Sequence, residues 1–151
     1  MSYQEKNITV SLVNFSLILV YFLVRIAQLN LNGNFLPENV FRLWATTIIL
    51  SIVVTVAGTI LTHIASAVIE VIRTGSEEPE IDDTEDERDK LIDLKGEKLA
   101  HIVHSVGVFL AMLAFALGQP ALVMFSGLIL AGLLGQVVGD SYRIVLYRRG
   151  L

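Results

Sequence analysis

Four blocks of the chain, at 9–28, 43–72, 99–117 and 121–142, are apolar over at least the length a helix needs to cross a bilayer, about 20 residues at a rise of 1.5 Å each. No other feature narrows the fold as much. Four such blocks occupy most of 151 residues, so the sequence predicts a single all-α domain, an integral membrane four-helix bundle. Apolar types make up 54% of the chain, and they fall in long runs instead of the short periodic pattern of a soluble core. The first block follows one early lysine, Lys6, and no small-residue cleavage site comes after it. It therefore reads as a span that is kept, not as a signal peptide.

The connections differ in kind. The first two blocks are separated by "NLNGNFLPEN", whose Asn30, Asn32, Gly33, Asn34 and Pro37 are turn and breaker residues. The last two are separated only by Gly118, Gln119 and Pro120, a helix stop followed by a helix start. A turn that tight makes the third and fourth helices antiparallel neighbours. The middle connection, 74–98, is long and charged.

Lysine and arginine set the direction of insertion. Arg73, Arg88, Lys90, Lys95 and Lys98 flank the middle connection, Arg143, Arg148 and Arg149 close the chain, and Lys6 opens it. The opposite side holds Arg42, with Arg25 near the end of the first span. Both termini and the charged loop are expected on the cytoplasmic side of the cell membrane, the inner membrane of a bacterium. The acids of the loop do not reverse this, because Asp and Glu contribute little to the rule.

Those acids are concentrated: nine of the thirteen positions from Glu77 to Asp89 are Asp or Glu. The segment lacks the glycine and ligand spacing of a calcium loop, so it reads as a solvated linker that becomes a helix start. Thr84 with Glu87 three residues on fits a capping box. The third helix is then expected to begin near Glu85 and to enter the membrane unbroken or kinked at Gly96. A net charge of −4 with the acids gathered in one run is no nucleic-acid footprint. The absence of cysteine excludes disulfides, thiolate ligands and cysteine nucleophiles.

The run "TEDERDKLIDLKGEKLAHIVHSVGVFLAML" resembles a motif of small uncharacterised multi-pass membrane proteins of bacteria and archaea: Asp-Glu-Arg-Asp, two residues, Ile, two residues, Lys/Arg-Gly, then a small residue and an aromatic opening a span. The matching positions are Asp86, Glu87, Arg88, Asp89, Ile92, Lys95, Gly96 and Ala100, about a fifth of the chain being covered by the run. His101 stands where the motif has its aromatic, so no role of that aromatic transfers. The resemblance implies a small membrane protein and supplies no activity.

Polar residues are placed in stripes. On a helix, Asp93, His101 and His104 fall within about 40° of Glu97. On the second helix Ser51, Thr55, Thr59, Thr62, His63, Ser66 and Glu70 share one side, spread over about 120°. The first helix carries Ser11, Asn14, Tyr21, Arg25 and Gln28, and the fourth Gln136, Asp140 and Arg143. An intramembrane charge costs at least about 2.5–3.5 kcal/mol on insertion scales, so these faces are expected to turn inward. Arg25, Gln136, Asp140 and Arg143 then belong to a polar core.

Depth singles out one cluster. His63 lies seven residues deeper than Glu70, and His104 seven deeper than Glu97, each about 10 Å. If the two stripes face each other, His63, Glu70, Glu97, His101 and His104 converge. Nitrogen and carboxylate ligands of this kind suit zinc, iron or manganese. The same residues equally suit a proton or ion pathway, or plain interhelical hydrogen bonding that holds a bundle in register. No metalloprotease, serine-hydrolase or phosphate-loop signature occurs.

Gly127, Ala131, Gly135 and Gly139 repeat at every fourth position of the fourth helix, a small-residue row that lets helices approach closely. Gly107, Ala111 and Ala114 offer it a surface within the chain; a second copy is the other candidate. The sequence as a whole points to a small accessory, regulatory or interaction protein in the lipid bilayer. Its partner would be another copy, another membrane protein or a cytosolic one. The alternative is a divalent-metal or proton module built on the histidine cluster.

Overall fold

The computed structural model describes residues 3–74 and 86–150. Every regular element among them is α-helical: α1 (Tyr3–Leu31), α2 (Pro37–Thr74), α3 (Glu87–Ala116) and α4 (Ala121–Arg149). All four are long and apolar enough to cross a membrane. They outrun the apolar blocks at most ends because a helix keeps bonding its own backbone after its side chains turn polar. The 38 residues of α2 extend about 57 Å, well beyond a hydrocarbon core of about 30 Å.

Two of the turns close in the same way. At the end of α1 the Gly33 N–H donates to Asn30 O and the Asn34 N–H to Leu29 O; at the end of α3 the Gly118 N–H donates to Phe115 O and the Gln119 N–H to Ala114 O. Both are Schellman motifs, which satisfy the last carbonyls by placing one residue in the left-handed region. Gly33 and Gly118 supply it, at φ 67° and 93°. Pro120 then caps α4, which folds straight back on α3.

The start of α3 differs from the capping box read in the sequence. Thr84 lies outside the described residues; the cap is Asp86, whose Oδ1 accepts from the Asp89 N–H at 2.8 Å. A carboxylate two residues later than the threonine does the same work, and adds a negative charge at the positive end of the helix dipole. From there α3 runs through Gly96 without a break.

The helices are unequally engaged. α4 is central: it makes the most extensive interface with α3, a second with α1 and a slighter one with α2, while α2 rests chiefly on α1. Ile18 and Phe22 of α1, Leu43 of α2 and Leu133 of α4 form the buried apolar cluster. The α3–α4 interface is built from small residues. A Cβ on Gly107 would stand 2.5 Å from that of Ala131, one on Gly127 3.0 Å from that of Ala111, and one on Gly139 2.8 Å from that of Ala100. The same addition at Gly135 would stand 3.0 Å from Ala100 O. The row at every fourth position therefore faces α3 of its own chain. Outward, Leu17, Ile49, Ile52, Leu61, Phe109 and Leu110 are all more than half exposed, apolar surface of a kind that suits acyl chains better than water.

Candidate functional site

A heavily bonded polar group lies where the start of α1, the start of α3 and the end of α4 meet. Asp140 is 2% exposed. The Ser11 hydroxyl donates to its Oδ2 at 2.6 Å, the Gln136 amide donates to both oxygens at 3.1 and 3.2 Å, and Arg143 Nη1 donates to Oδ1 at 2.9 Å. Spacing accounts for three of these four residues. Gln136, Asp140 and Arg143 are four and three apart, so one face of α4 holds them all. Ser11 arrives from α1.

Arg143 bridges onward. Its Nε sits 2.8 Å from Asp93 Oδ1 on α3, an ion pair whose N–H is not aimed along the contact, so this buried nitrogen has no hydrogen bond of its own. The stem of the arginine crosses Gly96, where a Cβ would run into it. That explains a glycine inside an uninterrupted helix: bare backbone lets the cation reach across to Asp93. One turn further out, the Tyr147 hydroxyl donates to Asp89 Oδ1 at 2.6 Å, and the Arg88 guanidinium stands 5.9 Å over the Tyr147 ring. Asp89, Asp93 and Gly96 line α3 at i, i+4 and i+7; running antiparallel, α4 sets Tyr147 on Asp89 and Arg143 on Asp93 and Gly96.

Above this knot is a pocket of about 190 Å³ lined by residues that include Gln4, Asn7, Ser11, Asp93, Asp140 and Arg143. Its walls carry three carboxylates, from Asp89, Asp93 and Asp140, against one guanidinium. The arrangement is suited to fastening three helix ends.

The histidine cluster is placed otherwise. His63, His101 and His104 are all exposed, and α2 and α3 share no extensive interface. His101 Nε2 lies 3.5 Å from Glu97 Oε1, one turn away on the same helix, both side chains being more than half exposed. The side chain of Glu70 lies outside the described residues. Among those that are described, no three of His, Asp and Glu come together as a metal site. Arg25 is not in the interior either: it is exposed, near the end of α1, and donates to Gln28 Oε1 at 3.0 Å.

The hydroxyl stripe of α2 shows why facing stripes need not meet. Thr47, Ser51, Thr55, Thr59 and Thr62 each donate to the carbonyl four residues back, at 2.7–3.0 Å. Hydroxyls bonded within their own helix demand no partner helix, and Thr55 and Thr59 remain exposed. Tyr147, Gln4 and Asn7 escaped the sequence reading because they fall outside the apolar blocks. The continuation of the α4 stripe from Arg143 by four residues is the signal that points to Tyr147.

No protein-family profile matches the chain, and neither curated proteins nor solved structures return a match.

Proposed function

We propose that this is a small multi-pass protein of the cell membrane that acts by association with other membrane proteins, an accessory or regulatory component without catalysis of its own. Both termini and the acidic connection lie on the cytoplasmic side, as the lysine and arginine distribution favours. The resemblance to small multi-pass proteins that share the Asp-Glu-Arg-Asp motif fits this reading. The motif has a structural use here: Arg88, Asp89 and Gly96 lie against the end of α4 or its side chains, and Ile92 is buried.

One observation carries the proposal. α3 spends its small-residue face on α4, and its exposed surface still presents Glu97, His101 and His104. His104 lies about 10 Å deeper than Glu97 along the helix. Polar groups at that depth are unfavourable against lipid tails and are satisfied by a neighbouring helix. A partner helix on this face supplies what the described residues of the chain do not. A photo-crosslinking amino acid at position 104, activated in native membranes, is expected to yield a discrete protein adduct. Adducts to lipid alone would overturn the proposal.

A second reading rests on Asp140, a carboxylate in the pocket just described. In it, Asp140 and Arg143 handle protons, in place of the five-residue histidine cluster, for which the described residues offer no metal-holding group. Vesicles containing the protein would then dissipate a pH gradient, and Asp140→Asn would abolish the leak. An equal gradient with and without protein sinks this reading.

A further inference from the structure

A groove between α1 and α2 has about 480 Å³ of room, a volume in the usual range for small-molecule sites. Val10 of α1 and Val54, Ala57, Leu61 and Ala65 of α2 supply its apolar wall, and Lys6 stands at one end. From Lys6 to Asn14, the deepest α1 residue in it, is eight residues or about 12 Å along the helix. The groove therefore runs from the charged end of α1 down into the apolar part of the molecule. Lys6 is half-buried and makes no ion pair with any described residue.

We infer that this groove binds one anionic glycerophospholipid, its acyl chain between α1 and α2 and its phosphate on Lys6. The inference rests on the membrane reading above. In a bilayer the groove is filled by a chain in any case, because lipid tails are the solvent there. The chain by itself gains little by moving from other tails onto leucine and valine, which are equally apolar. Selection must then come from the headgroup, where Lys6 is a charge with no ion pair among the described residues. One lysine near the surface supports about a fivefold preference for an anionic over a zwitterionic headgroup. A second groove makes the contrast. It lies at the opposite end, between Phe22, Phe35, Pro120 and Leu130, and is larger, about 620 Å³, but none of the described residues that line it is charged. It can take a chain but has nothing to choose a headgroup with.

The test is intact-mass measurement of the purified protein in micelles doped with equal phosphatidylglycerol and phosphatidylcholine of the same chains. The wild type is expected to retain one phosphatidylglycerol about five times as often as phosphatidylcholine. Lys6→Gln should bring the ratio to unity while a lipid is still retained, and Arg42→Gln, at the other end of the helices, should leave it unchanged. Ala57→Phe fills the groove and should remove the retained lipid of either kind, with its unfolding temperature showing that the fold persists. A preference that survives Lys6→Gln, or lipid that survives Ala57→Phe, overturns the inference. Failure of the membrane reading has a separate signature: the chain would be released from vesicles by alkaline carbonate, whatever its lipid ratio.

Discussion

Asp140 and Arg143 show how a charge is made tolerable inside a helical assembly. Asp140 is almost wholly buried and takes bonds from serine, glutamine and arginine, while Arg143 divides its cation between Asp140 and Asp93. The two carboxylates are not equivalent. Removing the buried partner strands a guanidinium that is 13% exposed, and breaking a buried pair from one side costs about 3–5 kcal/mol. The Asp93 side chain is 61% exposed, and an ion pair of that exposure contributes under about 1 kcal/mol. Asp140→Ala is therefore expected to lower unfolding stability in micelles severely and Asp93→Ala slightly, as read from denaturant midpoints. Equal losses would show that Arg143 is held by Asp93 as firmly as by Asp140. Gln136, Asp140 and Arg143 were legible in the sequence because their spacing fits one helical face. Ser11 was visible as a stripe residue on α1 but not as a partner, since nothing in sequence spacing says which helices touch.

At the scale of helices, the small-residue row of α4 decides how closely α3 approaches. Gly135 and Gly132 belong to the same helix and differ only in the face they occupy. A Cβ on Gly135 would meet Ala100 O at 3.0 Å, whereas one on Gly132 has nothing within 4 Å. Gly135→Leu should accordingly cost about 1–3 kcal/mol through overpacking, with Gly132→Leu close to neutral, both measured as unfolding midpoints in micelles. A Gly132→Leu variant that unfolds as readily as Gly135→Leu would mean that the penalty is bulk at an exposed face, not the approach of α3, since leucine favours a helix more than glycine does. The row was legible from its period of four, and so was the tight hairpin from Gly118 and Pro120. The stripes on α2 and α3 misled for a physical reason. Hydroxyls on α2 close onto their own carbonyls, so the expectation that every polar face turns inward applies to Asp140 and not to Thr55 or Thr59.

Across the whole molecule, the sequence spoke for four helices and their connections but not for their order in space. Hydropathy fixes how many helices can cross a bilayer. It does not say that α4 is central or that α2 and α3 stand apart, because those choices depend on which small surfaces fit and where one arginine can reach. Among the described residues that arrangement brings His63, Glu97, His101 and His104 into no metal-holding group, the Glu70 side chain lying outside them, and it sets the polar knot at the end carrying the N-terminus of α1, the start of α3 and the last turns of α4. This end also holds most of the basic residues: Lys6, Arg88, Lys90, Lys95, Lys98, Arg143, Arg148 and Arg149, against Arg25 and Arg42 near the α1–α2 turn. An asymmetry of that size orients short-looped membrane proteins with the basic end in the cytoplasm. The native chain has no cysteine, so single cysteines report position without a background. Lys90→Cys is exposed at the start of α3 and Asn32→Cys in the α1–α2 turn. In intact cells an impermeant maleimide should label Asn32→Cys and leave Lys90→Cys untouched until the membrane is opened. Labelling of both from the same side would remove the odd number of crossings between them and with it the four-span arrangement. The reverse pattern would keep four spans and invert them, placing the polar knot and the Lys6 groove at the outer surface.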